Sequence, residues 1–498
     1  MPTPAARLSR ANDAPLRPDR DYVLYWMIST RRTRWSFALD HAIARARALQ
    51  RPLLVLEALR YDYPWANARH HQFVLDGMAA NAERLSAAGV TVLSYVEPAP
   101  RAAEGLVACL AGRAVCVVTD EFPCFFLPRM VTALAARLDV ALEVVDSNGL
   151  MPLRATPGPF PTAYAFRRFL HKHLAEHLYD TPDPDPLAAD LSGLTGANPP
   201  AETTRWLDES PGLALPAGLD RSVAPSSTVG GEPAARRALE RFVSEALPTY
   251  LEQRNDPHLE GTSGLSPYLH FGHVSVHEVF DAVTRRAPVV PRGEALGMAA
   301  GPPWHPGCLQ RDGKGQREGF WQLPPTHEAF LDQLVTWREL GYAFSFHRPD
   351  YDQYSSLPSW ALATLEAHKS DRRPSLYDLS QLEDADTHDA VWNAAQRQLV
   401  RTGRIHNTLR MLWGKKVLEW SPTPEEAVRR LVHLNNRYAL DGRDPNSYSG
   451  IFWIFGRFDR PWGPVRPIFG TVRYMSSENA RRKLHLGPYL AAYGGDPA

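Results

Sequence analysis

Short apolar segments alternate with helical segments over the first 150 residues, and this alternation constrains the fold more than any other feature of the chain. The apolar segments are residues 22–28, 52–58, 91–95, 115–119 and 140–146. Between them, for example over 36–49 and 72–87, apolar residues recur three and four positions apart, as on one face of a helix. Strands and helices in this order form right-handed βαβ units, which build a parallel sheet with helices on both faces. We therefore predict an α/β domain over residues 21–150, after a flexible N-terminal segment, 1–20.

The composition changes after this domain. Pro, Gly, Ser and Asp dominate from about residue 181 to residue 232, as in a long inter-domain connection, and we assign 151–231 to that connection. Helical patterns then continue almost to the C-terminus, so we predict an all-α domain over 232–485 and a tail over 486–498. A Gly- and Pro-rich stretch, 299–325, interrupts the helical half, and it either covers a substrate groove or decorates the surface.

The charge balance and the cysteines argue against several classes of protein. The 498 residues include 55 Lys and Arg and 55 Asp and Glu, so the formal net charge is zero; this disfavours a polybasic mode of partner binding but allows a local basic groove. The four Cys, at 109, 116, 124 and 308, form no C-x-x-C pair, so we expect neither a disulfide framework nor a zinc site. There is no apolar run typical of a signal peptide or a membrane span. We expect a soluble, cytoplasmic protein.

Part of the helical half carries polar and aromatic residues that are not typical of a core. In 250–272, hydroxyl groups and a glycine precede a helical run. This pattern suits phosphate binding, although a Ser or Thr helix cap has the same pattern. Tyr250 and Arg254 are four residues apart, as are Gln333 and Trp337, so each pair is predicted to share a helix face.

Three tryptophans and one loop in the helical half are also not typical of a plain core. Trp413 and Trp420 are seven residues apart on one predicted helix, and Trp392 lies on the helix before it. Three indoles on adjacent helices either pack together or pass an electron. The segment 434–462 contains Asp-Gly and Asp-Pro-Asn and is typical of a structured loop. From these residues alone, the helical domain is interpreted as one that binds a ligand.

Long, ordered motifs in both halves resemble the photolyase/cryptochrome family, and more closely its class II cyclobutane pyrimidine dimer photolyases. The motifs are VLYWMIS, VVTD, TSGLSPYLHFG, THDAVWNAAQ, LRMLWGKKVLEW, LNNRYALDGRDPN and RPIFGTVRYM. The resemblance implies an α/β N-terminal domain followed by an all-α domain that binds FAD without a covalent bond. It also implies light-driven repair of UV-damaged DNA by a monomer, in which an electron passes from excited, reduced FAD to a flipped-out pyrimidine dimer. A second, antenna chromophore is left open, as a deazaflavin, a folate or nothing.

The resemblance also implies roles for individual residues. The residues that would bind the flavin are Tyr250, Arg254, Thr262, Ser263, Gly264, Leu265, Ser266, Asp441 and Arg443. Asn435 would face N5 of the isoalloxazine ring, where an amide suits several flavin redox states. The electron-transfer chain would run from Trp413 through Trp392 to Trp420, from flavin to surface. The residues that would contact the lesion or the DNA are Gln333, Trp337, Asn407, Arg410, Met411 and Trp453.

Two positions depart from the class II pattern. Gln333 stands where these enzymes usually have Glu, and an amide cannot carry a proton between oxygen atoms. We therefore predict weakened repair or a changed substrate. Asn407 stands where Gly is usual and is similar to the class I pattern. The alternative function is a cryptochrome-like blue-light receptor that binds FAD with weak repair or none; repair of the (6-4) lesion is disfavoured because the His-rich pattern it needs is not visible around His406.

Overall fold

The computed structural model of the chain describes residues 2–259, 261–285, 287–290, 303–311 and 314–495. The strands are β1 (Leu8–Arg10), β2 (Tyr22–Met27), β3 (Leu53–Leu59), β4 (Thr91–Val96), β5 (Ala114–Asp120) and β6 (Leu142–Val145). They form one sheet in the order β1-β6-β5-β2-β3-β4. The five strands from β2 to β6 are parallel to one another, and each overlaps one of the apolar segments. The predicted parallel sheet is confirmed.

Helices cover both faces of this sheet. They are α1 (Phe37–Leu49), α2 (Ala68–Ala87), α3 (Leu106–Ala111) and α4 (Leu127–Ala135). Successive residues of a strand point to opposite faces, and all six residues of β2 are buried. Its odd-numbered residues pack in one core cluster with α1, and its even-numbered residues pack in a second cluster with α3 and α4. The α/β architecture is therefore the predicted one.

The first twenty residues differ from the flexible extension that we predicted. β1 pairs with β6 in the antiparallel sense at the edge of the sheet. Arg7, just before it, is completely buried, and its guanidinium donates to the carbonyls of Asp146 (3.3 Å), Gly149 (3.0 Å) and Leu150 (2.8 Å). A three-residue strand is too short to show a period, so the sequence pattern did not reveal it.

The rest of the described chain is helical, with no strand after Val145. The helices are α5 (Ala163–His177), α6 (Thr204–Glu209), α7 (Glu232–Arg241), α8 (Tyr250–Gln253), α9 (Ser266–His270), α10 (Val276–Thr284), α11 (Pro325–Leu331), α12 (Arg338–His347), α13 (Ser359–Ala367), α14 (Leu379–Glu383), α15 (Ala390–Thr402), α16 (Asn407–Trp420), α17 (Pro424–Tyr438), α18 (Pro445–Ile454), α19 (Ser477–Lys483) and α20 (Gly487–Tyr493). Two π-helical segments, Phe242–Ala246 and Asp332–Trp337, interrupt this pattern. Among the described residues no helix is both long and apolar enough to cross a membrane.

The segment 151–231, which we assigned to the connection, includes a structural element of the helical half. α5 buries Phe166, Leu170 and Leu174 in the same core cluster as residues of α11. The chain then returns along the α/β domain, where the carbonyl of Leu194 accepts a hydrogen bond from the N–H of Leu53 (2.8 Å). The Pro- and Gly-rich composition therefore marks a packed irregular segment rather than a simple linker.

The Gly- and Pro-rich stretch 299–325 contributes aromatic residues to the core. Residues 299–302 and 312–313 lie outside the described residues. In the described part Trp304, Phe320 and Trp321 are buried, and the Trp304 indole N–H donates to the Trp321 carbonyl (2.7 Å). Phe320 stacks on His171 of α5 with ring centroids 3.9 Å apart. The described part of the stretch therefore contributes buried rings to the core of the helical half, and its relation to a substrate groove stays a prediction.

Candidate active site

The predicted cofactor residues begin on α8. Tyr250 is buried on its first turn. The guanidinium carbon of Arg254 lies 5.5 Å from the centroid of the Tyr250 ring, so the two residues face the same side, as their spacing predicts. Arg254 stays partly exposed. A cation beside an aromatic ring is worth about 0.5–1 kcal/mol at exposed sites, and this pair also offers a positive charge to an anionic ligand.

The loop before α9 carries the predicted hydroxyl groups. Thr262 and Ser263 are partly exposed, whereas Leu265 is buried. Gly264 has a φ of +65°, in the left-handed region that favours glycine. A Cβ atom at this position would lie 3.2 Å from the Arg404 guanidinium. The loop therefore presents hydroxyl groups close to a cation, which is a suitable set of donors for a phosphate.

Asp441 connects this loop to α16. One of its carboxylate oxygens lies 3.4 Å from a guanidinium nitrogen of Arg410, and Ser266 donates a hydrogen bond to the carboxylate. Burial raises the pKa of Asp441, but the charge of Arg410 and the Ser266 hydrogen bond outweigh it and hold the pKa below its ordinary value. The carboxylate is therefore ionised at neutral pH. Arg410, which we predicted to contact the lesion or the DNA, thus lies beside Asp441, which we predicted to bind the flavin.

Asn435 lies on the last turn of α17 and is only 2% exposed. Its side-chain N–H donates to the side-chain oxygen of Asn436 (3.3 Å). That oxygen also accepts the backbone N–H of Arg443 (2.9 Å), and the Asn436 amide donates to the hydroxyl of Tyr448 (3.2 Å). Asn436 thereby fixes Asn435, the following loop and α18 to one another. Sequence analysis missed Asn436, although it adjoins Asn435 in the LNNRY motif.

Arg443 holds the loop after α17 in an unusual conformation. Its φ is +68°, a value that is uncommon outside glycine. Its guanidinium carbon lies 5.9 Å from the ring centroid of Tyr63 and 5.6 Å from that of Phe271. Burial lowers the pKa of Arg443, and one guanidinium nitrogen has no protein partner in the described chain. Since Tyr63 belongs to the α/β domain, the Arg443 side chain lies at the contact between the domains.

The three predicted electron-transfer tryptophans form one continuous stack. The rings of Trp413 and Trp392 are nearly parallel, 5° apart, with centroids separated by 6.4 Å. Trp392 and Trp420 meet edge to face at 5.6 Å. The Trp413 indole N–H donates to the Gln396 side chain (2.9 Å), and that of Trp392 donates to the Trp413 carbonyl (3.0 Å). The three indoles thus contact one another in the order that we predicted for the electron-transfer chain.

The predicted surface position of Trp420 is wrong. Trp420 is 1% exposed, because three side chains cover it. The rings of Tyr377 and His388 lie 5.2 and 5.3 Å from its ring, and the Lys416 ammonium lies 5.5 Å from it. The stack of three indoles therefore ends inside the protein.

Gln333 and Trp337 lie on the π-helical segment between α11 and α12. From Leu331 to Arg338 every residue is buried except these two, which are partly exposed. They share the face that their spacing predicts. π-Helical turns are rare and frequent at functional sites. The segment is tied to α5 because both Nε and a terminal nitrogen of Arg167 donate to one oxygen of Asp332, at 3.1 and 2.8 Å. Sequence analysis missed this ion pair, since its partners are distant along the chain.

The other predicted lesion residues differ in exposure. Met411 and Trp453 are partly exposed, and Asn407, the first residue of α16, is exposed. The centroid of the Trp453 ring lies 6.0 Å from the Lys415 side-chain nitrogen and 5.7 Å from the Arg473 guanidinium carbon. Burial lowers the pKa of Lys415 to about 7, and its ammonium donates to the Ile454 carbonyl.

Several known proteins are similar to this chain. It is 32% identical over 475 residues to the deoxyribodipyrimidine photo-lyase of Methanothermobacter thermautotrophicus, and the alignment covers 94% of each chain. The protein of the same name from Oryza sativa is 32% identical over 94% of this chain and 87% of its own length. The one from Potorous tridactylus is 31% identical over 96% and 82%.

A family model and a solved structure agree with these relatives. The chain shares its fold, at a TM-score of 0.65 and 18% identity, with a bacterial class III photolyase from Agrobacterium tumefaciens, over 95% of this chain and 86% of that one. The model of the DNA photolyase family matches residues 23–188. With relatives of this identity over nearly its whole length, the chain belongs to the DNA photolyase family.

Proposed function

We propose that this protein is a light-driven DNA-repair lyase of the class II type, which splits cyclobutane pyrimidine dimers with FAD as cofactor. The observation that carries the proposal is the stack of Trp413, Trp392 and Trp420, because a continuous series of buried indoles in contact is suited to electron transfer toward a redox cofactor. The similarity to proteins named deoxyribodipyrimidine photo-lyase supports the substrate class.

The residues present suit a flavin dinucleotide. The Nε of Arg410 and the Nε2 of His406 are buried without a protein partner in the described chain, and an unpaired buried polar atom is costly unless a ligand or water satisfies it. The hydroxyls of the partly exposed Thr262 and Ser263 and the charge of Arg254 suit the diphosphate. Asn435 is the amide assigned to the isoalloxazine ring. When bound, FAD would supply the light-excited electron donor for the dimer and take the electron back after ring opening.

The chain's own residues have four tasks in this reaction. Asp441, ionised beside Arg410, fixes α9 and α16 around the cofactor. Trp337 and Trp453 form aromatic walls for the flipped lesion, and stacking on such walls contributes roughly 1–3 kcal/mol per base. Gln333 donates a hydrogen bond to a carbonyl oxygen of the dimer. The tryptophan stack delivers electrons that keep the cofactor reduced.

Flipping costs less free energy for a pyrimidine dimer than for intact bases. A dimer stacks and pairs poorly, so removing it from the duplex costs less than removing an intact base. The zero net charge does not oppose DNA binding, because affinity for phosphates depends on the local patch of cations. The antenna chromophore, deazaflavin or folate, stays a prediction for the α/β domain.

A cryptochrome-like receptor is the second candidate, and Gln333 is the residue that favours it. An amide donates one hydrogen bond to the dimer but cannot donate and recover a proton, so a protein that only senses light would tolerate it. The tryptophan stack is compatible with both functions, since both need photoreduction of the flavin.

The experiment that separates the candidates uses the purified protein with its flavin reduced. Oligonucleotides that contain a thymine dimer, a (6-4) lesion or no lesion are illuminated with it, and dark samples serve as controls. We expect light-dependent loss of the thymine dimer alone. Photoreducible flavin without repair of either lesion would assign the protein to the receptors. Repair of the (6-4) lesion alone would replace the proposed substrate, and a protein that binds no flavin would contradict the proposed cofactor.

A further inference from the structure

A buried lysine lies behind Trp453, one of the two aromatic walls that we assign to the lesion. Lys415 is 1% exposed, and its ammonium donates a hydrogen bond to the carbonyl of Ile454. It forms no ion pair with a carboxylate among the described residues. A buried charge without a partner is costly, so a merely structural site would favour an apolar side chain here.

Two helices approach each other closely at this lysine. α16 carries Lys415, and α18 ends at Ile454. A Cβ atom on Gly414 would lie 2.0 Å from Cδ1 of Ile454, so the absence of a side chain at Gly414 lets the helices lie this close. The Lys415 side chain thereby reaches the end of α18, where the Ile454 carbonyl has no partner within its own helix. A cation is stabilising at this end of a helix because of the helix dipole.

The last turn of α18 also carries Trp453. The Trp453 carbonyl accepts the backbone N–H of Gly456 (3.0 Å), so hydrogen bonds to two successive carbonyls, those of Trp453 and Ile454, fix this turn. The centroid of the Trp453 ring lies 6.0 Å from the Lys415 side-chain nitrogen. Lys415 therefore holds the backbone next to Trp453 and also lies near its ring.

Lys415 does not itself face the solvent. Met411 precedes it by one turn of α16 and lies on the same side of the helix. Met411 and Trp453 are partly exposed, whereas Lys415 is buried. The lysine is thus placed to act on a ligand through Trp453 rather than by direct contact.

We propose that Lys415, in its protonated form, is a positioning residue that holds Trp453 in the orientation in which it stacks on a flipped pyrimidine dimer. The inference rests on the proposed repair function. The ammonium fixes the last turn of α18 through the Ile454 carbonyl, and its charge attracts the indole ring. A neutral amine keeps a donor but loses that charge, so its hold on Trp453 is weaker. An ordered wall costs less to immobilise when the dimer binds.

The charge of Lys415 changes near neutral pH. Burial lowers the pKa of Lys415 to about 7; the charged groups that face it are Asp459, which raises the pKa, and Arg473, which lowers it. Neither an aspartate nor an arginine titrates between about pH 6 and about pH 8.5. Lys415 is therefore charged below pH 7 and neutral above it. We expect the preference for the dimer to be greatest below pH 7 and to fall as the pH rises through 7.

The test measures the affinity of the protein with reduced flavin, in the dark, for duplexes with and without a thymine dimer. The readout is the ratio of the two affinities between about pH 6 and about pH 8.5, and binding of the undamaged duplex shows that each variant is folded. In the wild type the ratio should fall as the pH rises. Lys415→Met, which keeps an apolar chain without the charge, should lower the ratio at low pH by about 2- to 30-fold and remove its pH dependence.

A double-mutant cycle tests whether Lys415 acts through the wall. Trp453→Ala removes the wall, so Lys415→Met should not lower the ratio further in that background. The matched control is Lys416→Met, because the Lys416 ammonium is paired with Glu419 (2.8 Å) instead of the end of α18. This variant should keep the wild-type ratio and its pH dependence.

The outcomes separate this inference from the proposed function. If the wild type prefers the dimer, an unchanged ratio in Lys415→Met would overturn the inference. So would an equal effect of Lys415→Met with Trp453 present and with Trp453→Ala. A wild type that binds the two duplexes equally well would overturn the proposed repair function itself.

Discussion

The ion pair between Arg167 and Asp332 allows a specific prediction. It joins α5, which lies in the segment that we assigned to the inter-domain connection, to the π-helical segment that carries Gln333 and Trp337. The two side chains are 6% and 12% exposed, and the nearest nitrogen and oxygen are 2.8 Å apart. At an effective dielectric constant of about 20, two unit charges at this distance attract by about 6 kcal/mol. Much of this gain offsets the cost of removing both charges from water.

The informative perturbation removes one partner only. Arg167→Met leaves the Asp332 carboxylate buried without its cation, and such changes cost about 3–5 kcal/mol. The loss should act first on local opening of the segment Pro325–His347. Hydrogen exchange of peptides from this segment should therefore accelerate by about two to four powers of ten, and repair should fall because Gln333 and Trp337 lose their fixed positions.

The matched control replaces both charges. In Arg167→Met/Asp332→Leu two apolar side chains fill the same space, and such exchanges of a buried ion pair are often neutral or stabilising. We expect the double variant to recover most of the lost protection. Unchanged exchange in Arg167→Met, or a double variant as unprotected as the single one, would refute the reasoning that this pair anchors the segment.

Three further predictions concern the cofactor, the lesion and the domain contact. Gln333→Glu should raise the quantum yield of dimer repair, since it restores a group that carries a proton, and an unchanged or lower yield would contradict the assigned role. The pKa of Asp441 is lowered in the folded protein, so the stability that Asp441 contributes is present above the unfolded value of about 3.9 and disappears as the pH falls through the lower folded value. In urea unfolding measured between pH 3 and 6, at about one-unit steps, Asp441→Asn should remove this pH dependence of the free energy of unfolding. An unchanged pH profile would exclude Asp441 as its source. Gly272→Ala places a Cβ 2.0 Å from the Ser29 carbonyl oxygen, at a residue with a φ of +74°. We expect the free energy of unfolding to fall by at least about 1–3 kcal/mol, seen as a lower melting temperature. A variant as stable as wild type would contradict this contact between the domains.

The elements with long periodic patterns were predictable from the sequence. The four parallel strands β2, β3, β5 and β6 are buried on both faces apart from Ala58, which is partly exposed, and the edge strand β4 is partly buried. Each is therefore a short apolar run, and the helices between them have amphipathic periods. The spacing of Gln333 and Trp337 also placed them correctly on one face. In each case the pattern lies within one element, where local geometry decides which side chains are neighbours.

The features that were not predicted from the sequence depend on residues that are distant from one another in the chain. β1 is ordered because Arg7 bonds to carbonyls about 140 residues away, and a short polar strand carries no such information. The ion pair between Arg410 and Asp441, 31 residues further on, was likewise not visible in the sequence pattern. Trp420 is hidden from solvent by Tyr377 and His388, which precede it by more than 30 residues. Long-range pairing and burial are properties of the packed chain, so the sequence pattern does not determine them.

The measurement that tests the central claim most directly is single-flash repair of a thymine-dimer oligonucleotide by the protein with reduced flavin, with the flavin spectrum recorded before and after the flash. If the electron returns after ring opening, the dimer disappears and the flavin spectrum stays that of the reduced form. Oxidation of the flavin without loss of the dimer would contradict the account, because the electron would then leave the site without completing a repair.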